Sequence, residues 1–345
     1  MIVAADIGGT KTSLALLAAP KTRSDAERSS VFLHTAKYQS GQHPGLTGIV
    51  RDFLARQGVQ PERVRRVCAG IAGPIVEARV ETPNLPWVID AAEMKRSLGV
   101  GAVTLINDLE ATAERAATLG DDDVFVLNPG RTPAGPLTNG AVIAAGTGLG
   151  MAVLHPIDGA WWPVASEGGH IDLAPRNDLE VDLLRFLQRR HRRVSIERVV
   201  SGPGLVALYE FFVERADHTP NAEVLAELRA TLADAPRIVS EAALGERCAV
   251  ARSALDLFIA LYGAMAGNLA LMAVSTGGVF VGGGIAPKIL ARLKGGGFMA
   301  AFTSKGRLSP LLEAMPVKVI LDQDAALMGA ARRAVRLELG LVREH

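Results

Sequence analysis

The sequence predicts an α/β protein built as two domains. Three observations point that way. The chain has 345 residues, more than the roughly 100–200 that one domain usually takes. Two units of apolar strand, glycine turn and apolar strand, at Met1 to Ala18 and at Gly140 to Leu154, each open a half of the chain. After each of them strands alternate with helical stretches, the pattern of layered α/β domains.

Met1 to Ala5 is a short apolar strand, Asp6 to Lys11 a turn, and Thr12 to Ala18 the returning strand. A third strand is predicted within Val31 to Tyr38. Gly45 to Gln57 reads as a helix, because Leu46, Ile49, Val50, Phe53 and Leu54 share one face. Arg66 to Gly70 is a strand running into Ile71-Ala72-Gly73-Pro74. Val103 to Ile106 is a strand that ends in Asn107-Asp108, and Leu109 to Leu119 is helical. In the second half, Gly140 to Ala145 leads into Gly146-Thr147-Gly148-Leu149-Gly150, and Met151 to Leu154 continues the strand. Long helices are expected between Asp178 and Val274, strands at Val279 to Val281 and Val317 to Leu321, and a closing helix at Asp324 to Leu339.

Composition narrows the function. Hydrophobic residues make up 49% and charged residues 21%, which suits a folded chain and excludes a disordered or collagen-like one. With 37 basic and 36 acidic residues the net charge is +1, so no strong field draws nucleic acid or an anionic membrane. Only Cys68 and Cys248 occur, which excludes a disulfide scaffold and a CxxC zinc site and fits a reducing compartment. Leu257 to Pro287 carries no charge and is longer than the roughly 20 residues that span a bilayer. It also holds seven glycines, Asn268, Ser275 and Thr276, and so reads as a buried helix, a turn, a short strand and a glycine loop. The N-terminus shows no basic segment followed by an apolar core and a cleavage site, so a cytoplasmic location is expected.

Several segments carry chemistry. Asp6-Ile7-Gly8-Gly9-Thr10 places a carboxylate at a strand end, then backbone N–H groups and a hydroxyl that can approach a phosphate. Asp6 can hold Mg²⁺ through water. A plain hairpin turn explains the same residues. Gly146-Thr147-Gly148 repeats the device, and two such turns suggest a nucleotide clamped between two related domains. Neither turn is a P-loop or a dinucleotide fingerprint. Gly282-Gly283-Gly284 follows a strand and precedes a helix expected near Ala286-Pro287; it would let a base or ribose lie against the backbone. Asp108 ends an apolar strand, where it can take a proton from a substrate hydroxyl or cap the next helix. Glu167-Gly168-Gly169-His170 offers a carboxylate and an imidazole for vicinal hydroxyls, or is a surface turn. Glu197, in Ser195-Ile196-Glu197-Arg198, reads on its own as a helix-start carboxylate. Asn84-Leu85-Pro86-Trp87 is a stiff loop whose Trp87 is either core or a sugar platform.

Taken together and in order, these segments resemble the bacterial glucokinase family of the hexokinase–actin–Hsp70 superfamily, related to the ROK sugar kinases. The resemblance rests on Asp6-Ile-Gly-Gly-Thr10, Leu105-Ile-Asn-Asp108, Gly146-Thr-Gly-Leu-Gly150, Gly168-Gly-His-Ile-Asp172, Ser195-Ile-Glu-Arg-Val199, Ser201-Gly-Pro-Gly-Leu205, Gly278-Val-Phe-Val-Gly-Gly-Gly-Ile285 and Gly329. It implies a two-domain actin-like ATPase fold (ribonuclease H-like) with a central cleft. The smaller domain would hold residues 1–108 and 324–345, the larger residues 109–323. The implied reaction is transfer of the ATP γ-phosphoryl group, with Mg²⁺, to the glucose 6-hydroxyl, the entry step of glycolysis. Asp108 would be the general base. Asn84, Asn107, Asp108, Glu167, His170 and Glu197 would bind the sugar. Asp6, Ile7, Gly8, Gly9, Thr10, Gly146, Thr147, Gly148 and Gly282 to Gly284 would bind the nucleotide, and a homodimer is implied. Pro83-Asn-Leu-Pro-Trp87 looks more like the sugar loop of the ROK kinases, but their cysteine-rich zinc motif is absent. Another hexose or amino sugar, another phosphoryl donor, or a non-catalytic sugar sensor on the same fold are the alternatives.

Overall fold

The structure is a computed structural model and describes residues 1–22, 31–82, 85–131 and 134–342. The chain divides into two units, Met1–Leu119 with Asp322–His345, and Gly120–Leu321.

In the first unit the strands are β1 (Ile2–Ile7), β2 (Lys11–Leu17), β3 (Phe32–Gln39), β4 (Arg66–Ile71), β5 (Arg79–Glu81), β6 (Val88–Asp90) and β7 (Val103–Asn107). The helices are α1 (Leu46–Arg56), α2 (Ala91–Leu98), α3 (Asp108–Ala116) and, from the C-terminus, α12 (Ala325–Glu338). Five strands form one sheet in the order β3-β2-β1-β4-β7, and β5 pairs with β6. β1 and β2 are the antiparallel hairpin of the first glycine turn; β4 and β7 run parallel to β1. Successive side chains of a strand point to opposite faces. Val3, Ala5 and Ile7 therefore pack with α1, α2 and Trp87, while Ile2 and Ala4 pack with Ala111, Leu327, Ala330 and Ala334. The five apolar residues that defined the predicted helix at 45–57 are all buried on α1.

The first unit keeps the whole of α3, so its boundary falls at 119/120 and not at the expected 108/109. The physical reason is the contact between α3 and α12. A Cβ on Gly329 would stand 1.6 Å from the Ala111 carbonyl oxygen, so the two backbones touch and only glycine fits. Glu114, fully buried on α3, accepts hydrogen bonds from Arg333 and Arg336 of α12 at 2.8–3.0 Å. Breaking a buried ion pair leaves an uncompensated charge, which ties the two helices together.

In the second unit the strands are β8 (Val124–Asn128), β9 (Gly140–Ala145), β10 (Leu149–Ile157), β11 (Ala160–Ser166), β12 (Gly278–Gly282) and β13 (Val317–Ile320). Its helices are α4 (Asp178–Gln188), α5 (Gly202–Arg215), α6 (Ala222–Ala230), α7 (Ala235–Leu244), α8 (Ala249–Ala273), α9 (Leu290–Leu293), α10 (Gly297–Thr303) and α11 (Ser309–Glu313). The sheet order is β11-β10-β9-β12-β13-β8. Again a glycine hairpin, β9-β10, carries a further antiparallel strand on one side and two strands parallel to its first strand on the other. The coarse repeat in the sequence is thus a repeat of sheet topology, closed in the second unit by antiparallel β8.

α8 has the length and apolarity of a membrane span, but 72% of its most apolar window is buried inside the protein. The uncharged segment resolves into helix, turn, strand and glycine loop, as its polar residues and glycines indicated. One expectation fails at its end: no helix starts at Ala286-Pro287. The chain continues in turns to α9 at Leu290.

Candidate active site

In the first unit the carboxyl ends of three parallel strands bring the candidates together. β1 and β4 pair with Asp6 opposite Gly70, and β4 and β7 pair with Ile71 opposite Asn107. Asp6 thus lies at the same sheet edge as the β7–α3 junction. The turn after Asp6 is tight: the Gly8 N–H donates to the Lys11 carbonyl at 2.9 Å. Two buried hydroxyls brace it. Ser40 donates to the Gly8 carbonyl at 2.9 Å and lies 2.9 Å from the Thr12 hydroxyl, while its own N–H reaches the Thr10 carbonyl at 3.0 Å. Gly9 and Thr10 are exposed at the tip. A small hollow beside the turn is lined by Ile7, Gly8, Gly9, Ile71, Ala72 and Leu85.

Burial first, and then the like charges of Asp108 and Asp324, together push the Asp6 carboxyl up to about 6 against the opposing effect of Lys37. This concentration of negative charge suits a cation. Among the described residues no cluster of three or more His, Cys, Asp or Glu side chains forms a metal cage. The like charges that act on Asp6 are the feature that a divalent cation, held partly through its own waters, would fit.

The role of Asp108 was open between helix cap and proton acceptor. The N-cap of α3 is Asn107: its side-chain oxygen accepts the Leu109 N–H at 2.9 Å, and its amide reaches the Gly73 carbonyl at 3.5 Å. One Asp108 oxygen also receives that N–H, at 2.8 Å. Asp108 is the first residue of the helix and is only half-buried. The capping is shared, and Asp108 is not needed alone for it.

In the second unit, Glu167, His170 and Glu197 come together beside the second glycine turn. Glu197 Oε2 accepts the Leu149 N–H at 2.9 Å. Its other oxygen lies 3.9 Å from His170 Nδ1, and His170 Nε2 lies 3.8 Å from Glu167. His170 and Glu167 are exposed, and Glu197 is half-buried. Glu197 sits in a single 3-10 turn, Ile196–Arg198, ahead of α5, whose cap is Ser201. Glu197 does lie at a helix start, but of this short turn and not of α5, and its carboxylate also braces the glycine turn. The turn is closed by Gly146 N–H to the Gly148 carbonyl at 2.9 Å, and the Gly202 N–H at the start of α5 reaches the Gly146 carbonyl at 2.8 Å. Thr147 is exposed at its tip. At the end of β12, Gly282 to Gly284 adjoin the same strand ends, since Gly282 is in register with Ala144.

Trp87 is core: it is buried, and its indole N–H donates to the His43 carbonyl at 3.0 Å. Asn84 lies outside the described residues. The bracing residues Ser40 and Thr12 escaped the sequence reading, because a serine 30 residues beyond a turn gives no local signal.

The glucokinase family model matches residues 3–337. The chain belongs to the glucokinase family. Among curated glucokinases, that of a Nostoc sp. is 38% identical over 98% of this chain and 99% of its own length. That of Shigella dysenteriae is 36% identical over 94% of each. Among solved structures, a glucokinase from an Antarctic psychrotroph superposes with a TM-score of 0.78 at 32% identity, covering 96% of this chain and 98% of that one. A ROK-family glucokinase from Streptomyces griseus, solved with glucose and AMPPNP, shares the fold at a TM-score of 0.60 and 22% identity, over 96% of this chain and 97% of that one. The fold is the two-domain actin-like ATPase fold of these kinases. The two braced glycine turns, Asp108, the Glu167–His170 turn and Glu197 all fall within the segment that the glucokinase model matches.

Proposed function

We propose that this chain is an ATP-dependent glucokinase that transfers the γ-phosphoryl group of ATP to the 6-hydroxyl of glucose, giving glucose 6-phosphate and ADP. The observation that carries the reading is the family match over residues 3–337. On this reading each site residue has a role. Asp108, at the end of β7, takes the proton of the 6-hydroxyl as the oxygen attacks phosphorus. Glu167, His170 and Glu197 hydrogen-bond the other hydroxyls, with Asn107 and Asn84 as further sugar ligands. Backbone N–H groups of the turns at 7–10 and 146–148 hold the phosphates, and Gly282 to Gly284 lie along the adenosine. Mg²⁺, held by Asp6 through water, would neutralise phosphate charge. Since little covalent chemistry falls to the protein in phosphoryl transfer, positioning and electrostatics do most of the work.

We further place the protein in the cytoplasm, in glycolysis, as a homodimer without nucleic-acid or membrane partners. The near-balanced charge supports the last point, and the resemblance supports the others.

A panel assay tests the reaction. Glucose, mannose and glucosamine are offered with ATP or polyphosphate, and the product is identified by phosphorus NMR. Glucose with ATP and magnesium should give the highest kcat/KM. A higher value for another sugar or donor would reassign the substrate, and no turnover with any pair would leave the sugar-sensor alternative.

A further inference from the structure

We infer that Tyr262 sets the spacing between the glycine turn at 146–150 and the glycine loop at 282–284, and so positions the nucleotide. This rests on the reading of those two loops as the nucleotide site.

Tyr262 projects from the middle of α8 and is fully buried. Its ring is fixed edge-to-face between Phe258 and Phe298, with centroids 6.0 and 5.6 Å away. Its hydroxyl lies where two strands end. It accepts the Ala145 N–H at 3.1 Å and lies 3.2 Å from both the Ile143 and the Gly282 carbonyl oxygens. A phenol carries one proton, so it donates to one of these carbonyls at a time and accepts from Ala145. Ala145 is the last residue of β9 before the first loop, and Gly282 the last of β12 before the second.

The loops also meet directly. The Ile285 N–H reaches the Ala145 carbonyl at 3.3 Å, and a Cβ on Gly283 would stand 2.3 Å from that oxygen. Ala145 is therefore gripped on both sides, by the Tyr262 hydroxyl at its N–H and by the second loop at its carbonyl. Shifting either strand end would move both loops. The rings fill the space under the sheet, and the hydroxyl adds a side-chain tie between the two ends to the β9–β12 pairing and the Ile285–Ala145 bond. Tyr262 touches no expected substrate atom and is a positioning residue.

The test compares Tyr262→Phe with Phe258→Leu. The first removes only the hydroxyl; the second loosens the same aromatic packing and leaves the hydroxyl. For Tyr262→Phe, KM for ATP should rise roughly 3- to 30-fold, the size expected when a buried hydrogen-bond partner is lost, with KM for glucose within about twofold of wild type. Phe258→Leu should lower the unfolding temperature with KM for ATP unchanged. An unchanged KM for ATP in Tyr262→Phe, or equal rises in both variants, overturns the proposal. Wild-type chain supplies a second measurement independent of the variants. On adding a non-hydrolysable ATP analogue, amide exchange should slow together in segments 142–150 and 280–286; a response confined to one of them overturns the coupling. If the analogue shifts neither the unfolding temperature nor exchange in wild type, the nucleotide reading of the loops itself falls, and the proposal with it.

Discussion

Glu197 holds the Leu149 N–H with one carboxylate oxygen at 2.9 Å and presents the other at 3.9 Å from His170 Nδ1. One side chain thus braces the second glycine turn and faces the proposed sugar ligands. Two substitutions separate these functions. Gln retains an oxygen that can accept from Leu149, so Glu197→Gln should keep the unfolding temperature within a degree or two of wild type. It should lessen the upward shift on adding glucose, because ligand stabilisation tracks affinity. Glu197→Ala removes both roles. Losing a hydrogen bond to a charged group costs about 1.5–3 kcal/mol, so this variant should also melt earlier and show a raised KM for ATP. Thermal unfolding with and without glucose, together with the two KM values, reads the difference. An unchanged glucose shift in both variants would remove Glu197 from the sugar site.

The same carboxylate crowds residue 148. A Cβ there would stand 2.6 Å from Glu197 Oε2. Backbone strain does not add to this, since Gly148 is absent from the left-handed region. Gly148→Ala should push Glu197 aside and open the turn. The obstacle is the end of a flexible side chain, so the cost is chiefly the Leu149–Glu197 hydrogen bond, about 1.5–3 kcal/mol. The expected result is a KM for ATP raised by about tenfold or more, with the greater loss in Gly148→Val. In Glu197→Ala the conflict is absent, so adding Gly148→Ala to that variant should cost little more. Additive losses in the double variant would show that the two residues act separately.

Asp108→Asn keeps the size of the side chain and an oxygen for the Leu109 N–H, and Asn107 still caps α3. Stability should therefore change little. The kcat should fall by about 10²–10⁴-fold with KM for glucose within a few-fold, as expected when a proton acceptor is lost and binding is kept. Steady-state kinetics on folded protein decides it, and near-normal turnover would return Asp108 to a capping role.

Much of this site was legible in the sequence because its signals are local. Glycines beside a strand end, a carboxylate after an apolar run and five apolar residues at helical spacing each appear within a dozen positions. What was hidden acts over long separations. Tyr262 reaches Ala145 across 117 residues, Ser40 reaches Gly8 across 32, and Glu197 reaches Leu149 across 48. No period or motif marks such partners. The first boundary between the units was misplaced for the same reason: the seam between α3 and α12 joins Ala111 to Gly329, and nothing near Asp108 in sequence announces it.

The pH dependence of stability tests the charge placed around Asp6. Its carboxyl stands at about 6 in the folded protein, against 3.8 ordinarily, chiefly because it is buried and then because Asp108 and Asp324 repel its charge. Between these values the folded state holds the proton more tightly than the unfolded state. The slope of stability with pH is then negative for this group: its penalty sets in as pH rises above about 4 and is complete above about 6. At about 1.4 kcal/mol per unit, reduced because Asp6 keeps some contact with solvent, the penalty is on the order of 1–3 kcal/mol at neutral pH. Asp6→Asn removes it. In magnesium-free buffer the variant should unfold several degrees above wild type at pH 7.5, and the gap should close near pH 4. Adding magnesium with a non-hydrolysable ATP analogue should reverse the order, because wild type then gains a cation that offsets the repulsion, while the amide cannot supply the charge. The same variant should lose most of its turnover, so that the residue which weakens the empty fold is one the reaction needs. Parallel melting curves for the two proteins from pH 4 to pH 7.5 would show that Asp6 carries no such strain.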